Sequence, residues 1–141
     1  MNKNRLLIIT LIALIIIILG CLGYYSYRQQ KREVAWSTIN HYITKQGIAK
    51  KDIEVSSFGT ENDGQYHRFI YVKEEKPNIA YEYIYKSDIN QVYFSAEYVD
   101  RKSILQHEWG GTELLSSEMR TIKFHPLKNS YGYGSKYDIN P

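Results

Sequence analysis

Residues 65–99 read QYHRFIYVKEEKPNIAYEYIYKSDINQVYFSAEYV, and the period of that text is two. Tyr66, Arg68, Ile70 and Val72 alternate with His67, Phe69 and Tyr71. After Pro77-Asn78 the alternation resumes over Ile79–Lys86, with Tyr81, Tyr83 and Tyr85 on one side. Ser87-Asp88-Ile89-Asn90 interrupts it again, and Gln91–Val99 follows with Val92, Phe94 and Ala96 in phase. Strict alternation over seven to ten residues, cut by Pro, Asn, Asp and Ser, is the pattern of half-buried strands joined by short turns. A further strand precedes these three. Ile53 and Val55 alternate with Glu54 and Ser56, and Asn62-Asp63-Gly64 supplies residues that accept the positive φ of a tight hairpin. The expectation is a four-stranded antiparallel meander.

Upstream the period changes to that of a helix. From Arg28 to Gly47 there is no proline, and Ala35, Ile39, Tyr42 and Ile43 fall on one face. Gly47 suits a helix C-cap, and Lys45 complements the negative end of the helix dipole. A helix with one apolar face followed by a meander is an α+β domain, with the helix packed on one face of the sheet.

Further upstream, Leu6–Tyr27 carries no charged residue and is apolar on every side. At ~1.5 Å of rise per residue it reaches roughly 33 Å, enough to cross a bilayer's hydrocarbon core. Lys3 and Arg5 flank it on one side, and Arg28, Lys31 and Arg32 on the other. Tyr24, Tyr25 and Tyr27 lie where an interfacial aromatic belt belongs. The reading is an uncleaved signal anchor, single-pass, whose helix continues into the amphipathic one. Ile18-Leu19-Gly20-Cys21 also resembles a lipobox, which would make Cys21 a lipidation site. Leu19 is bulky for that motif, and the apolar run continues past Cys21. The basic flanks nearly balance, so orientation rests on the short basic N-terminus, the usual form of an export signal; it places the domain outside the cell.

This divides the chain into an anchor over 1–27, an α+β domain over 28–100 and a C-terminal extension over 101–141. Thr112–Lys123 could form a short helix, or Met119–Phe124 a strand. The Gly-, Ser- and Tyr-rich tail after Asn129 is expected to be partly mobile.

The whole chain has 18 basic and 15 acidic residues. With Lys3 and Arg5 assigned to the membrane flank, the remainder is close to neutral, which gives no footing for nucleic acid. Cys21 is the only cysteine, so the domain has no disulfide, no thiolate metal site and no cysteine nucleophile.

A run of residues also resembles a known family. Tyr42-Ile43-Thr44-Lys45-Gln46-Gly47-Ile48, Lys51-Asp52-Ile53, Tyr71-Val72 and Tyr81-Glu82-Tyr83, with the apolar span, resemble domain of unknown function 3139, a family of short membrane-anchored proteins of Gram-positive bacteria. The likeness covers roughly Met1 to Tyr98. It implies a bacterial envelope setting and carries over no catalytic or binding residue.

The sequence carries no recognisable catalytic, cofactor-binding or metal-ligating motif. His107-Glu108 lacks the second histidine four positions on, where Gly111 stands. His41, His67, His107 and His125 do not occur at metal-ligand spacing. A carboxylate pair could be assembled from Glu61, Glu74, Glu82 or Glu97, as in any small acidic sheet. The 14 tyrosines draw more notice. Tyr81, Tyr83 and Tyr85 could form an exposed binding face, although tyrosine suits half-buried strands in any case. The expectation is therefore a non-enzymatic binding or modulating module in the cell envelope. Its partners would be the lipid bilayer and another membrane or envelope protein. Two alternatives stand: a lipoprotein capturing a small ligand, and an envelope hydrolase, which a polar pocket lined by His67 and two carboxylates would favour.

Overall fold

The computed structural model describes residues 3–106 and 111–127. The chain separates into two compact units, Met1–Val34 and Ala35–Pro141. Helix α1, Lys3–Lys45, runs through the first and into the second. From Lys3 to Val34 every residue is exposed, including the whole Leu6–Leu19 run. Such a surface is consistent with a single-pass membrane or signal anchor. Near its end, Arg28 approaches the Tyr24 ring at 6.0 Å and Lys31 the Tyr27 ring at 4.6 Å. Each pair is four residues apart, so cation and ring lie on one strip of helix.

In the second unit, α1 buries the four residues its spacing marked, Ala35, Ile39, Tyr42 and Ile43. It stops at Gly47, whose φ of +86° lets Ile48 N–H reach Ile43 O at 3.2 Å and Gly47 N–H reach Thr44 O at 3.0 Å. That closure satisfies the last carbonyls and folds Ile48 into the core. A 3-10 turn at Lys50–Asp52 leads into strands β1 (Ile53–Thr60), β2 (Tyr66–Val72), β3 (Ile79–Lys86) and β4 (Gln91–Tyr98). Helix α2 (Arg101–Leu105), strand β5 (Thr112–Glu113) and helix α3 (Ser116–Met119) follow.

The sheet is antiparallel throughout, in the order β1-β2-β3-β4-β5. It therefore has five strands where the sequence predicts four. The fifth is a two-residue addition to the β4 edge, with Glu113 opposite Glu97. Neither alternative for the segment near residue 119 holds over its full length, since helix occupies only Ser116–Met119. The boundary drawn at Asp100 also cuts through a continuous body, because Leu114, Met119 and Ile122 are buried in the same cluster as α1. The expectation for the tail falls on residues 128–141, outside the described ones.

Alternation gives the sheet two unlike faces. Towards α1 lie Ile70, Val72, Tyr81, Tyr83, Tyr85, Val92, Phe94 and Ala96. Tyr83 meets Tyr42 edge-on at 5.7 Å and Phe94 at 5.1 Å. Its hydroxyl donates to Gln46 Oε1 at 2.7 Å, while Gln46 donates to His125 O at 3.0 Å. The Tyr42 hydroxyl accepts from Leu127 N–H at 3.1 Å. These bonds tie the helix end, the sheet and the C-terminal segment together. All of Tyr81, Tyr83 and Tyr85 are buried, so none of the three rings is available as an exposed platform. The opposite face holds a smaller apolar cluster of Phe69, Tyr71, Ala80, Val99 and Ile104, with α2 against it. Beside that cluster lies a group of buried polar residues.

Candidate functional site

On the α2 side of the sheet, His67, Glu82 and Glu97 are 3%, 7% and 9% exposed. The register places Ile84 opposite His67 and Glu82 opposite Phe69, so His67 and Glu82 are diagonal neighbours on one face. His67 Nδ1 and Glu82 Oε1 are 2.8 Å apart. Ser95 is opposite Glu82 and Ala80 opposite Glu97, which sets Glu97 diagonal to Glu82 on the other side. The β1–β2 hairpin completes the group. Gly64, with φ of +76°, closes a turn in which Gly64 N–H donates to Glu61 O at 2.9 Å and Gln65 N–H to Asp63 Oδ1 at 2.9 Å. The turn brings Glu61 Oε1 to 3.8 Å and Asp63 Oδ2 to 3.3 Å from the His67 ring, on Nδ1 and Nε2 respectively.

The electrostatics follow from putting several acids around one imidazole. Burial raises the Glu97 carboxyl, and the adjacent Glu82 raises it further, to about 8. The protonated form of Glu97 is thus favoured, since a carboxyl that keeps its proton can donate to the neighbouring Glu82 carboxylate. Burial opposes the His67 imidazolium, but the bond to Glu82 and the charges of Glu82 and Glu61 outweigh it and hold His67 above its usual value. Burial also raises Glu61, against the pull of His67 and with the push of Glu82 and Asp63. Burial is the largest single influence on Asp63 and raises it, yet the Gln65 N–H, His67 and Lys86 together outweigh it and bring Asp63 below the ordinary carboxylate range. Buried acids outnumber the imidazole, and the proton on Glu97 reduces the excess.

The other face presents the opposite condition. Arg68 is 5% exposed and has no carboxylate partner among the described residues. Its guanidinium donates to Ser56 Oγ at 3.1 Å and to Asn40 Oδ1, and it stacks over the Trp36 ring at 4.1 Å. Trp36 in turn meets Phe58 at 5.0 Å. Beside Arg68 lies a groove of about 300 Å³, lined by Trp36, Asn40, Thr44 and Lys50 with apolar residues between them. Two cationic side chains, two neutral hydrogen-bonding ones and an indole form a lining suited to an anionic group.

Of the residues singled out by sequence, Cys21 is exposed on α1, and the tyrosine trio lies inside the core. His41 and His125 are exposed and apart from the cluster. His107 and Glu108 lie outside the described residues. The sequence did not join Arg68 with Trp36; it offered His67 with two carboxylates only as a conceivable lining, and the structure supplies Glu61 and Glu82 as its neighbours. The signals available were an arginine on the apolar side of β2 and a histidine on its other side, within reach of a hairpin rich in acids.

An apolar helix leading into a helix-covered antiparallel meander thus defines a small α+β protein with a hydrophobic N-terminal segment. Residues 1–83 match the family model described as "Protein of unknown function (DUF3139)", and the chain belongs to that family. It is 35% identical over 98 residues to an "Uncharacterized 13.4 kDa protein" of Bacillus thuringiensis, covering 69% of this chain and 84% of that one. No solved structure matches. The family match includes α1, the hairpin, His67 and Glu82, and ends before Glu97.

Proposed function

We propose that this protein is a single-pass membrane-anchored binding module of the cell envelope, whose domain stands at the outer face of the membrane and engages a partner without transforming it. The anchor half of this reading is supported by an N-terminal helix that is apolar and exposed over its whole first part. The helix continues well past Cys21, to Lys45, which favours an uncleaved anchor over a lipoprotein. Replacing Cys21 with Ser separates the two: the anchor loses nothing in size or membrane retention, whereas a lipoprotein loses lipid labelling and processing.

The observation that carries the binding half is the buried Arg68 guanidinium, held by neutral partners at the edge of a groove. A desolvated cation is ordinarily matched by an anion. The partner class that matches is a carboxylate-bearing segment of another envelope protein, met bidentately by Arg68 and at longer range by Lys50. A photo-crosslinking amino acid placed at Lys50 in intact membranes should capture a discrete protein partner, and one placed at the exposed turn residue Ser87 should not. Absence of an adduct from Lys50, or the same adducts from both positions, contradicts the reading.

The hydrolase alternative draws on His67 and its carboxylates. The groove, however, lies on the opposite face of the sheet from them. The pairing of groove and cation favours binding.

A further inference from the structure

We infer that Glu61, His67 and Glu82 form a binding site for a divalent first-row transition ion of the zinc class. One ligand atom from each of the three lies within 4.8 Å of the others. A metal bonded at about 2.1 Å to nitrogen and oxygen sets its ligands roughly 3.0–3.4 Å apart. Glu82 Oε1 is 2.8 Å from His67 Nδ1 and Glu61 Oε1 is 3.8 Å from it, so the two separations that involve the imidazole bracket that range, and the two carboxylates lie within 4.8 Å of each other. Small side-chain adjustments bring them to it, and Glu61, at the start of the turn, is the ligand with room to move.

Two further features fit an ion at this place. The first is the disposition of the ring. Nδ1 faces the two carboxylates, while Nε2 lies 3.3 Å from Asp63 Oδ1 and Oδ2. With Nδ1 on the metal, Nε2–H donates to Asp63, the carboxylate–histidine–metal arrangement that fixes tautomer and ring orientation. The second is charge. Glu61, Asp63 and Glu82 meet around one imidazole, with Glu97 beside Glu82 and Lys86 acting on Asp63 from the next strand. A divalent ion neutralises two of those carboxylates at a place where burial magnifies their repulsion.

The mixed imidazole–carboxylate set selects the ion. Calcium, magnesium and manganese favour six or more mostly oxygen donors, whereas zinc accepts one nitrogen with two or three oxygens. Binding displaces the proton or hydrogen bond at Nδ1 and leaves both carboxylates ionised. The site ties the β1–β2 hairpin to β3, so its consequence is to fix the hairpin on the sheet. Nothing in it requires substrate turnover, and it is independent of the groove on the other face.

The full-length chain, purified in detergent and stripped with a chelator, provides the test. Titration with Zn²⁺ should show one site per chain and a raised thermal midpoint, with Mg²⁺ and Ca²⁺ without effect at equal concentration. Co²⁺ should develop visible bands in the same stoichiometry. Because His67 is buried, the deciding variant is Glu61→Gln, at a half-exposed turn position. It should keep the circular dichroism of the parent and weaken Zn²⁺ binding by on the order of tenfold or more. His125→Gln, at an exposed histidine away from the cluster, should bind as the parent does. No Zn²⁺ uptake by the parent chain overturns the site, as does uptake unchanged in Glu61→Gln or abolished by His125→Gln.

Discussion

The two faces of this sheet arise from one alternation and have opposite electrostatic characters. Towards α1 the rings of Tyr81, Tyr83 and Phe94 close a dry core, and one cation, Arg68, is buried there with neutral partners. Towards α2 the apolar cluster is small, and His67, Glu82 and Glu97 leave an excess of acid. Adjacent residues of β2, His67 and Arg68, therefore face opposite ways into unlike surroundings. The helix-covered face holds the domain together. The charges left unbalanced on each side are where binding chemistry is to be sought.

The contrast breaks most visibly at Tyr83. Tyr83→Ala deletes a fully buried ring that touches Tyr42 and Phe94 and should cost ~3–5 kcal/mol. That is a large share of the ~5–15 kcal/mol expected of a small domain. A thermal melt of the detergent-solubilised chain reads it, and an unchanged midpoint would mean that this face is not the core. Arg68→Met should cost less, about 1–3 kcal/mol, mainly by leaving Asn40 Oδ1 and Ser56 Oγ short of a donor. The same change should abolish partner capture at Lys50. A loss of stability as large as that of Tyr83→Ala would make Arg68 a structural residue instead.

The acid-rich face should reveal itself through pH. The folded state keeps a proton on Glu97 up to about 8, whereas an ordinary glutamate releases it near 4.5. The folded state thus holds more protons than the unfolded state between those values, and stability falls as pH rises through that window. His67, also raised, stabilises the fold below its ordinary value and loses that contribution at higher pH, in the same direction. In the chelator-treated chain, the urea midpoint should therefore decline from pH 5 to pH 8, and Glu97→Gln should flatten the decline. A midpoint that climbs over this range would refute the shared proton. The smallest expected effect is that of Tyr71→Phe, which removes a single hydroxyl bond to Val99 O and should cost about 1 kcal/mol. Comparison with Tyr83→Ala then separates a polar contact on one face from ring burial on the other.

Much of this framework was legible because periodicity reports faces directly. Ile79–Lys86 is a strand with the bounds its alternation implies, and Ala35, Ile39, Tyr42 and Ile43 are the residues α1 buries in the second unit. Gly47 and the Asn62-Asp63-Gly64 turn act as their residue types require. Strand β5 was not legible, since Thr112–Glu113 is too short to alternate and is defined only by pairing with β4. The His67–Glu82 contact was hidden for a related reason. It spans 15 positions and depends on the β2–β3 register, and Pro77-Asn78 marks the turn between those strands without fixing which residues pair across it. Arg68 was hidden differently. Alternation placed it on the apolar side, but only the packing of α1 shows that Trp36 and Asn40, four residues apart on one helical strip, meet its guanidinium.

Display of the domain at the outer face by an intact anchor is the claim on which the binding proposal depends. Its most direct measurement is labelling of intact cells with a membrane-impermeant maleimide, using Ser87→Cys in a Cys21→Ser background so that one exposed turn carries the sole thiol. The account predicts labelling of the full-length, membrane-retained chain before lysis. Labelling that occurs only after lysis would place the domain in the cytoplasm and contradict it.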